Sequence, residues 1–213
     1  MSRPRVWLFD LDNTLHDANP HIFPRINRSM REYIERHLGV DEDEATRIRQ
    51  RYWQRYGATL LGLVRHHGTD ARHFLDATHR FERLERLVVF EHALSHVLRR
   101  LPGRKIVFSN APRHYTEAVL DILGIRRLFD AVWPIERLAF QPKPMPQAFR
   151  RLLKRERLRP GQCLLVEDSC ANLKTAKRLG MTTVLISPSP RVPAYVDLRL
   201  QSVLDLPRAL DKL

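Results

Sequence analysis

The sequence predicts an α/β protein: a doubly wound, mostly parallel β-sheet with helices on both faces and a helical domain inserted near its start. Three short apolar segments, at 6–9, 106–108 and 163–166, are each followed directly by polar residues, which is typical of strands buried in a parallel sheet. Stretches with apolar residues at helical spacing lie between and after them. Strand and helix thus alternate along most of the 213 residues, an order that favours helices on both faces of one sheet.

The first predicted strand ends in two carboxylates. Asp10 and Asp12 follow the apolar segment 6–9 and stand one residue apart. In an extended segment, residues i and i+2 point to the same side, so the two carboxylates share a small volume and repel each other. Mg²⁺, a hard cation that prefers oxygen ligands, is the usual partner of such a pair. The alternative is that both aspartates only form a turn, together with Asn13 and Thr14.

A long insertion separates the first strand from the second. Asp12 and Ser109, which ends the second strand, lie 97 residues apart, whereas a strand-to-strand crossover requires only about a dozen residues. No proline occurs between Arg25 and Leu101, and the apolar positions there recur at helical spacing. The insertion is therefore expected to be helical.

Two apolar stripes indicate where the helices of the insertion lie. One covers residues 22–38 and the other residues 81–101, and glycines mark helix ends between them. We expect about four helices that form a cap over residues 16–95, the last of them leading back into the core. The core domain then consists of residues 1–15 and 96–213.

The second strand and a later loop carry groups that suit an anion. Ser109 and Asn110 end the strand, and a helix that follows a strand end presents free backbone N–H groups. Lys143 stands between two prolines in the loop 141–144, where a compact ammonium is held in place to meet a phosphate. The alternative for Lys143 is an ordinary exposed lysine in a proline-rich loop.

The third strand also ends in acids. Glu167 and Asp168 follow the apolar segment 163–166 and offer further ligands for a cation. The nearby Cys163 and Cys170 are expected to be reduced rather than joined in a disulfide.

The remaining segments complete the alternation of helix and strand. We expect helices at 115–123 and 147–157 and short strands at 129–135 and 181–186. A last strand, at the edge of the sheet, is expected at 201–204.

Four motifs in order give the chain a family resemblance. They are DLDNT at 10–14, SN at 109–110, an isolated KP at 143–144, and VEDS at 166–169 with an asparagine four residues after its aspartate. This order resembles the four motifs of the haloacid dehalogenase (HAD) superfamily of phosphohydrolases, and the resemblance extends over residues 5–187. It implies a HAD-like, Rossmann-like core and a helical cap that closes over the site.

The resemblance also implies a role for each matched residue. It implies that Asp10 is the nucleophile that takes the phosphoryl group as an aspartyl-phosphate. It implies that Asp12 is the general acid and later the general base. Ser109 and Asn110 resemble the phosphate cradle of the family, and Lys143 resembles the cation that holds nucleophile and phosphate together.

The cofactor that the resemblance implies is Mg²⁺. Asp168 and Asp10 resemble its direct ligands, joined by the main-chain carbonyl of Asp12, and Glu167 lies beside them as a ligand or a supporting acid. Haloacid dehalogenases themselves lack an acid at the position of Asp12, so its presence favours phosphate chemistry over carbon–halogen chemistry.

Three segments look similar to the pyrimidine 5'-nucleotidase group within the superfamily: 12–18, 52–67 and 107–115. That similarity implies a small phosphorylated substrate, a nucleoside monophosphate such as UMP or CMP.

Candidate specificity residues lie in the second of these segments. Tyr56 is placed to stack on a base and Thr59 to hydrogen-bond it, while Arg65 or His66 would meet phosphate or sugar. Each also has a structural interpretation: Tyr56 as a core residue, for example, and Arg65 as a solvated helix end.

Two other functions remain open on the sequence. A sugar-phosphate phosphatase or a phosphomutase would share every core motif and differ in the cap. A basic nucleic-acid-binding protein on a hydrolase fold would use the net charge of +13. Charged clusters such as 150–157 interleave with apolar positions at helical spacing, which is typical of a solvated helix face, and no nucleic-acid-binding motif accompanies them.

The hydropathy pattern bears on location. The chain has no apolar run before its first strand and no apolar stretch of about 18 residues. We therefore expect neither a signal peptide nor a membrane span, and a cytoplasmic protein.

Overall fold

The computed structural model describes residues 5–212 and contains one sheet of six parallel strands in the order β3-β2-β1-β4-β5-β6. The strands are β1 (Val6–Phe9), β2 (Arg104–Phe108), β3 (Ala131–Trp133), β4 (Cys163–Glu167), β5 (Thr182–Ile186) and β6 (Leu198–Leu200). The central strand β1 pairs with β2 on one side and with β4 on the other. The carboxyl ends of these three strands therefore lie next to one another.

Alternate residues of β1 enter two separate hydrophobic clusters. Val6 and Leu8 pack with buried residues of α7 (Pro146–Glu156) and α8 (Cys170–Arg178). Trp7 and Phe9 belong to the second cluster, with buried residues of α5 (Leu94–Arg100) and α6 (Arg113–Ile122). Successive side chains of a strand point to opposite faces, so helices cover both faces of the sheet. The predicted doubly wound α/β fold is confirmed.

The insertion contains four α-helices. They are α1 (Ile22–Leu38), α2 (Glu42–Tyr56), α3 (Thr59–His67) and α4 (Ala71–Thr78). Gly39, Gly57 and Gly68 end the first three of them, with φ of 64°, 77° and 64°, in the left-handed region where glycine costs least. No helix in the described part of the chain is both long and apolar enough to cross a bilayer.

The segment that leads back into the core differs from the predicted single helix. The apolar stripe over 81–101 is divided into a 3₁₀ turn, Leu84–Arg86, and the short helix α5. Between them Val89 pairs with Asp17 in an antiparallel bridge, which ties the two connections of the insertion together. The apolar residues have helical spacing, but the backbone between the 3₁₀ turn and α5 forms this bridge instead of continuing a helix.

The predicted edge strand at 201–204 is wrong. The edge strand is β6, three residues earlier, and a run of 3₁₀ turns begins at Val203. The side chain of Ser202 accepts from the backbone N–H of Leu204, and the backbone N–H of Ser202 donates to Asp205. Such local side-chain bonds favour a helical turn over a strand.

Both cysteines are free thiols: Cys163 is buried in β4 and Cys170 is exposed at the start of α8.

Candidate active site

Three adjacent strand ends carry the polar residues of the site. Asp10 follows β1, Ser109 follows β2 and Glu167 ends β4, so parallel pairing alone brings them to one edge of the sheet. The backbone N–H of Asp10 still donates to Val166 of β4, at 3.0 Å. The ladder therefore continues up to the first carboxylate and fixes its position.

Lys143 links two of these strand ends. Its Nζ lies 2.8 Å from Oδ1 of Asp10 and 2.7 Å from Oε2 of Glu167, and the residue is only 1% exposed. Burial alone would lower the pKa of Lys143, but the carboxylates of Asp10 and Glu167 raise it above its usual value. The ammonium therefore stays charged, and the alternative of an exposed lysine is excluded.

Asn110 holds the main chain of this lysine. Its Oδ1 accepts from the backbone N–H of Lys143 at 2.7 Å, and its Nδ2 donates to the carbonyl of Lys143 at 2.9 Å. The side chain expected to cradle phosphate is thus engaged with Lys143 through its oxygen and one N–H of its amide.

The acidic residues form one cluster. Carboxylate oxygens of Asp10, Glu167 and Asp168 lie within 4.8 Å of one another, the only such group of three found among residues 5–212. Burial, followed by the charge of Glu167, raises the pKa of Asp10 well above its usual value, and burial and Asp10 raise the pKa of Asp168. The ammonium of Lys143 contacts two of these three carboxylates, those of Asp10 and Glu167. An all-oxygen site with this excess of negative charge fits a hard divalent cation such as Mg²⁺.

Glu167 is the most fully bonded of the three acids. Its Oε2 accepts from Lys143 and, at 2.9 Å, from Nδ2 of Asn172, while its Oε1 accepts from the backbone N–H of Ser169 at 3.1 Å. Asp168 accepts a long bond, 3.4 Å, from the side-chain amide of Asn13. Of the two neighbouring acids, Asp168 is the one with oxygens left for a metal.

Asp12 is not one of the three clustered acids and has hydrogen-bond partners of its own. Its Oδ1 accepts from the hydroxyl of Tyr115 at 2.6 Å and lies 2.9 Å from Nε2 of His16. Burial favours a higher pKa for Asp12, but the hydrogen bond and charge of His16, with the bond from Tyr115, bring its pKa below the usual value. The two aspartates of the first motif therefore occupy different environments.

The end of β2 offers less to an anion than the sequence indicated. The hydroxyl oxygen of Ser109 accepts from the backbone N–H of Ala111 at 3.0 Å, so its own proton remains available to donate. The first backbone N–H of α6 is already engaged, because the N–H of Arg113 donates to both carboxylate oxygens of Glu136 at 2.9 and 3.0 Å. An anion at this strand end would therefore meet Ser109 and the backbone of Asn110 before the first N–H of the helix.

Comparison with known proteins identifies the family. The model for haloacid dehalogenase-like hydrolases matches residues 4–180 of the chain. The chain belongs to this family. Phosphate metabolism protein 8 of Saccharomyces cerevisiae is 27% identical to it over 199 residues, which are 85% of this chain and 61% of the yeast protein. The phosphoglycolate phosphatase of Pseudomonas putida is 26% identical over 197 residues, 85% of this chain and 68% of that protein.

Solved structures show the same fold. A HAD phosphatase from Thermococcus onnurineus superimposes with a TM-score of 0.68 at 21% identity, covering 97% of both chains. The L-2-haloacid dehalogenase of Xanthobacter autotrophicus superimposes with a TM-score of 0.61 at 17% identity, covering 98% of this chain and 99% of that one.

The four specificity candidates of this HAD-like hydrolase lie in α2, which ends with Tyr56, and in α3. The hydroxyl of Tyr56 lies 2.6 Å from Nε2 of His66, and the guanidinium groups of Arg55 and Arg65 lie over the Tyr56 ring, 5.5 and 5.2 Å from its centroid. Thr59 is buried and donates to the carbonyl of Arg49 at 3.1 Å. The hydroxyl of Thr59 is thus engaged inside the insertion, whereas Tyr56, Arg65 and His66 form one cluster.

The turn between α2 and α3 lies against the lysine loop. A Cβ added to Gly57 would come within 2.4 Å of Cδ of Pro144 and 3.5 Å of the carbonyl oxygen of Lys143. The residue next to Tyr56 is therefore in close contact with the loop that carries the buried ammonium.

A cavity of about 510 Å³ has Asp168 of the acid cluster in its wall. Polar side chains from five parts of the chain line it, among them Asn13, Glu91 and Gln201. None of the four specificity candidates lines this cavity.

The contacts of Tyr115 and His16 with Asp12 were not predicted from the sequence. The hydrogen bonds of Asn110 to the main chain of Lys143 were not predicted either. His16 follows Asp12 by four residues and Tyr115 follows Pro112 by three, both within motif segments that sequence analysis had already singled out. The signal was the presence of hydrogen-bonding side chains close to two motifs, but only the folded chain brings them together.

Proposed function

We propose that this HAD-like hydrolase is a Mg²⁺-dependent phosphomonoesterase that acts through an aspartyl-phosphate. One observation carries the proposal: Asp10 lies against the buried ammonium of Lys143 and beside Asp168, while Asp12 stands apart with its own hydrogen-bond donors. A nucleophile beside positive charge and a separate proton carrier are what phosphoryl transfer in two steps requires.

In the first step Asp10 attacks phosphorus and the bond from phosphorus to the leaving oxygen breaks. Lys143 offsets the charge on the phosphoryl oxygens, and the hydroxyl of Ser109 donates to one of them. A bound Mg²⁺ would be held by Asp10, Asp168 and the main-chain carbonyl of Asp12, and would supply charge neutralisation there. Glu167 would act indirectly, by orienting the ammonium of Lys143.

Asp12 moves the proton in both steps. It gives a proton to the leaving oxygen as the first bond breaks. It then takes a proton from the water that attacks the aspartyl-phosphate, which releases inorganic phosphate and restores the carboxylate of Asp10. Its separation from the metal cluster supports this role, because a proton carrier must not be bound to the cation through its side chain.

The substrate is proposed to be a nucleoside monophosphate, with residues 16–95 acting as the cap that selects it. The cluster of Tyr56, Arg65 and His66 supports this by combining an aromatic face with cationic groups next to the lysine loop. A base would have to displace a guanidinium from the Tyr56 ring.

A second candidate is a phosphatase of small phosphorylated acids or sugars. It is favoured by two phosphoglycolate phosphatases that are 26% and 25% identical over 197 residues, and by a hexitol phosphatase that is 30% identical over 103 residues, 46% of this chain.

The experiment is a phosphate-release assay with p-nitrophenyl phosphate and Mg²⁺, comparing wild type with Asp10→Asn. Asp121→Asn, an exposed position on α6, is the matched control. We expect Asp10→Asn to abolish phosphate release and Asp121→Asn to leave it unchanged. A fully active Asp10→Asn variant would refute the role of Asp10 as the nucleophile.

A panel of phosphorylated substrates then tests which leaving group the enzyme prefers. A preference for UMP or CMP over phosphoglycolate and hexose phosphates supports the nucleotidase, and the reverse preference refutes it. Conversion of a hexose phosphate to its isomer without phosphate release would mark a mutase. Salt-dependent binding to nucleic acid without any hydrolysis would instead favour the non-enzymatic function.

A further inference from the structure

We infer that Tyr115 and His16 are positioning residues for Asp12: together they hold one carboxylate oxygen, so that the other faces the leaving group and carries the proton. The inference rests on the proposed phosphomonoesterase function and adds two residues to it.

Both contacts to Asp12 fall on the same oxygen. The hydroxyl of Tyr115 donates to Oδ1 at 2.6 Å, and Nε2 of His16 lies 2.9 Å from the same atom. Within residues 5–212 no side chain or backbone group donates to Oδ2. The side chain of Asp12 is 17% exposed, so it is not sealed from the site. Two contacts on Oδ1 fix the rotation of the carboxyl group and leave Oδ2 as the atom that exchanges a proton.

The two donors are themselves held firmly. The side chain of His16 is fully buried, and His16 forms a bridge with Asp12 through the backbone. Tyr115 is 1% exposed, and its ring lies 5.8 Å from the ring of His79 and 5.7 Å from that of Phe81. A donor whose own rotamer is locked by packing holds its acceptor more tightly than a mobile one.

The packing around Tyr115 joins the insertion to Asp12. His79 and Phe81 follow α4, the last helix of the insertion, and the neighbouring His114 donates from Nε2 to the carbonyl of His79 at 3.1 Å. The segment that returns from the insertion therefore sets where the Tyr115 hydroxyl stands. Positioning of Asp12 is thus shared by both connections of the insertion, since His16 precedes α1.

The chemistry predicts a distinctive kinetic signature. A leaving group that departs as a stable anion, such as p-nitrophenolate, needs little help from a proton donor. A leaving group that would otherwise depart as an alkoxide depends strongly on a proton donor, and general acid catalysis raises rates roughly 10²- to 10⁴-fold. Misplacing the donor should therefore slow the hydrolysis of an alkyl phosphate much more than that of p-nitrophenyl phosphate.

The test compares kcat/KM for p-nitrophenyl phosphate and glycerol phosphate in Tyr115→Phe, because kcat/KM reports only the steps up to the loss of the leaving group. We expect a fall of about 10- to 100-fold on glycerol phosphate, a part of the full general-acid effect, and a fall several times smaller on p-nitrophenyl phosphate. Tyr33→Phe is the matched control: Tyr33 is also buried and its hydroxyl bonds a histidine, Nδ1 of His73 at 2.9 Å, but in the insertion. It should not change the ratio of the two constants.

Variants of His16 provide a second route if Tyr115→Phe does not fold. His16→Gln keeps an N–H donor and should retain most of the activity on glycerol phosphate, whereas His16→Leu should show the selective loss. An equal fall on both substrates in Tyr115→Phe or in His16→Leu would overturn the inference. Failure of the proposed function looks different, since wild type would then release no phosphate or Asp10→Asn would remain active.

Discussion

The ammonium nitrogen of Lys143 lies 2.8 Å from Oδ1 of Asp10, although 133 positions separate the two residues in the chain. Both are buried, and Glu167 completes the ion group on the other side of the ammonium. The contact joins the proposed nucleophile and the buried cation in one structural unit, so the same residues are expected to serve folding and chemistry.

Replacing Lys143 should destabilise the fold as well as lower the activity. Lys143→Met leaves Asp10 and Glu167 buried without their cation, and breaking such a pair costs about 3–5 kcal/mol. Urea unfolding without Mg²⁺ should show this loss, and added Mg²⁺ should recover part of it. Lys174→Met, at an exposed position of α8, is the control. Equal stability of Lys143→Met and wild type would contradict the role given to the ammonium.

If the acid cluster holds the proposed Mg²⁺, phosphate release should depend on a divalent cation. We expect chelation with EDTA to abolish phosphate release and Mg²⁺ to restore it. Asp168→Asn should raise the Mg²⁺ concentration that gives half-maximal activity by at least the roughly 10- to 100-fold typical of losing a supporting partner. Mg²⁺ titrations of wild type, Asp168→Asn and Asp121→Asn provide the measurement. An unchanged midpoint in Asp168→Asn would remove that residue from the metal site.

A methyl group at Gly57 should disturb the lysine loop. Gly57 and Gly39 both have positive φ, 77° and 64°, so alanine at either position carries a backbone cost of about 1–2 kcal/mol. Only at Gly57 would the new Cβ also collide with Pro144, at 2.4 Å, whereas nothing lies within 4 Å at Gly39. Gly57→Ala should therefore lose more stability than Gly39→Ala, by about 1–3 kcal/mol, and should lower kcat as well. Equal losses in thermal unfolding and in kcat would show that the contact is unimportant.

A buried histidine should make stability depend on pH. Burial lowers the pKa of His79 to about 4, although Asp12 acts in the opposite direction, whereas 6.5 is its usual value. Below pH 6.5 the unfolded chain binds a proton that the folded chain refuses, so stability is complete above that pH and is lost as pH falls towards 4.

The size of this loss follows from the shift in pKa. One unit of pKa shift corresponds to about 1.4 kcal/mol, so wild type should lose roughly 3 kcal/mol from this source. Urea unfolding between pH 7 and 4 should show a shallower decline for His79→Gln than for wild type. Parallel curves would mean that His79 takes up its proton in the folded state.

Strand ends made much of the site predictable. Asp10, Ser109 and Asp168 follow apolar segments. The adjacent parallel strands β2, β1 and β4 bring these positions to one edge of the sheet, independently of the conformation of the loops. Lys143 was also singled out, because prolines on both sides mark a fixed loop. These predictions depend on local patterns, which a single sequence displays.

Contacts that depend on side-chain direction could not be derived in this way. Tyr115 reaches Asp12 from a helix that starts after another strand, and Asn110 turns its amide towards Lys143 rather than towards an anion. The edge strand was misplaced for a related reason: the side chain of Ser202 starts a helical turn that apolar spacing does not reveal.

The proposed mechanism requires that Asp10 is phosphorylated during turnover. The most direct measurement is mass spectrometry of the enzyme quenched in acid during steady-state turnover of p-nitrophenyl phosphate with Mg²⁺, followed by borohydride reduction and peptide mapping. We predict one added phosphoryl group, mapped to Asp10 and absent from Asp10→Asn. Phosphate release without a covalent adduct, together with activity in Asp10→Asn, would contradict the account.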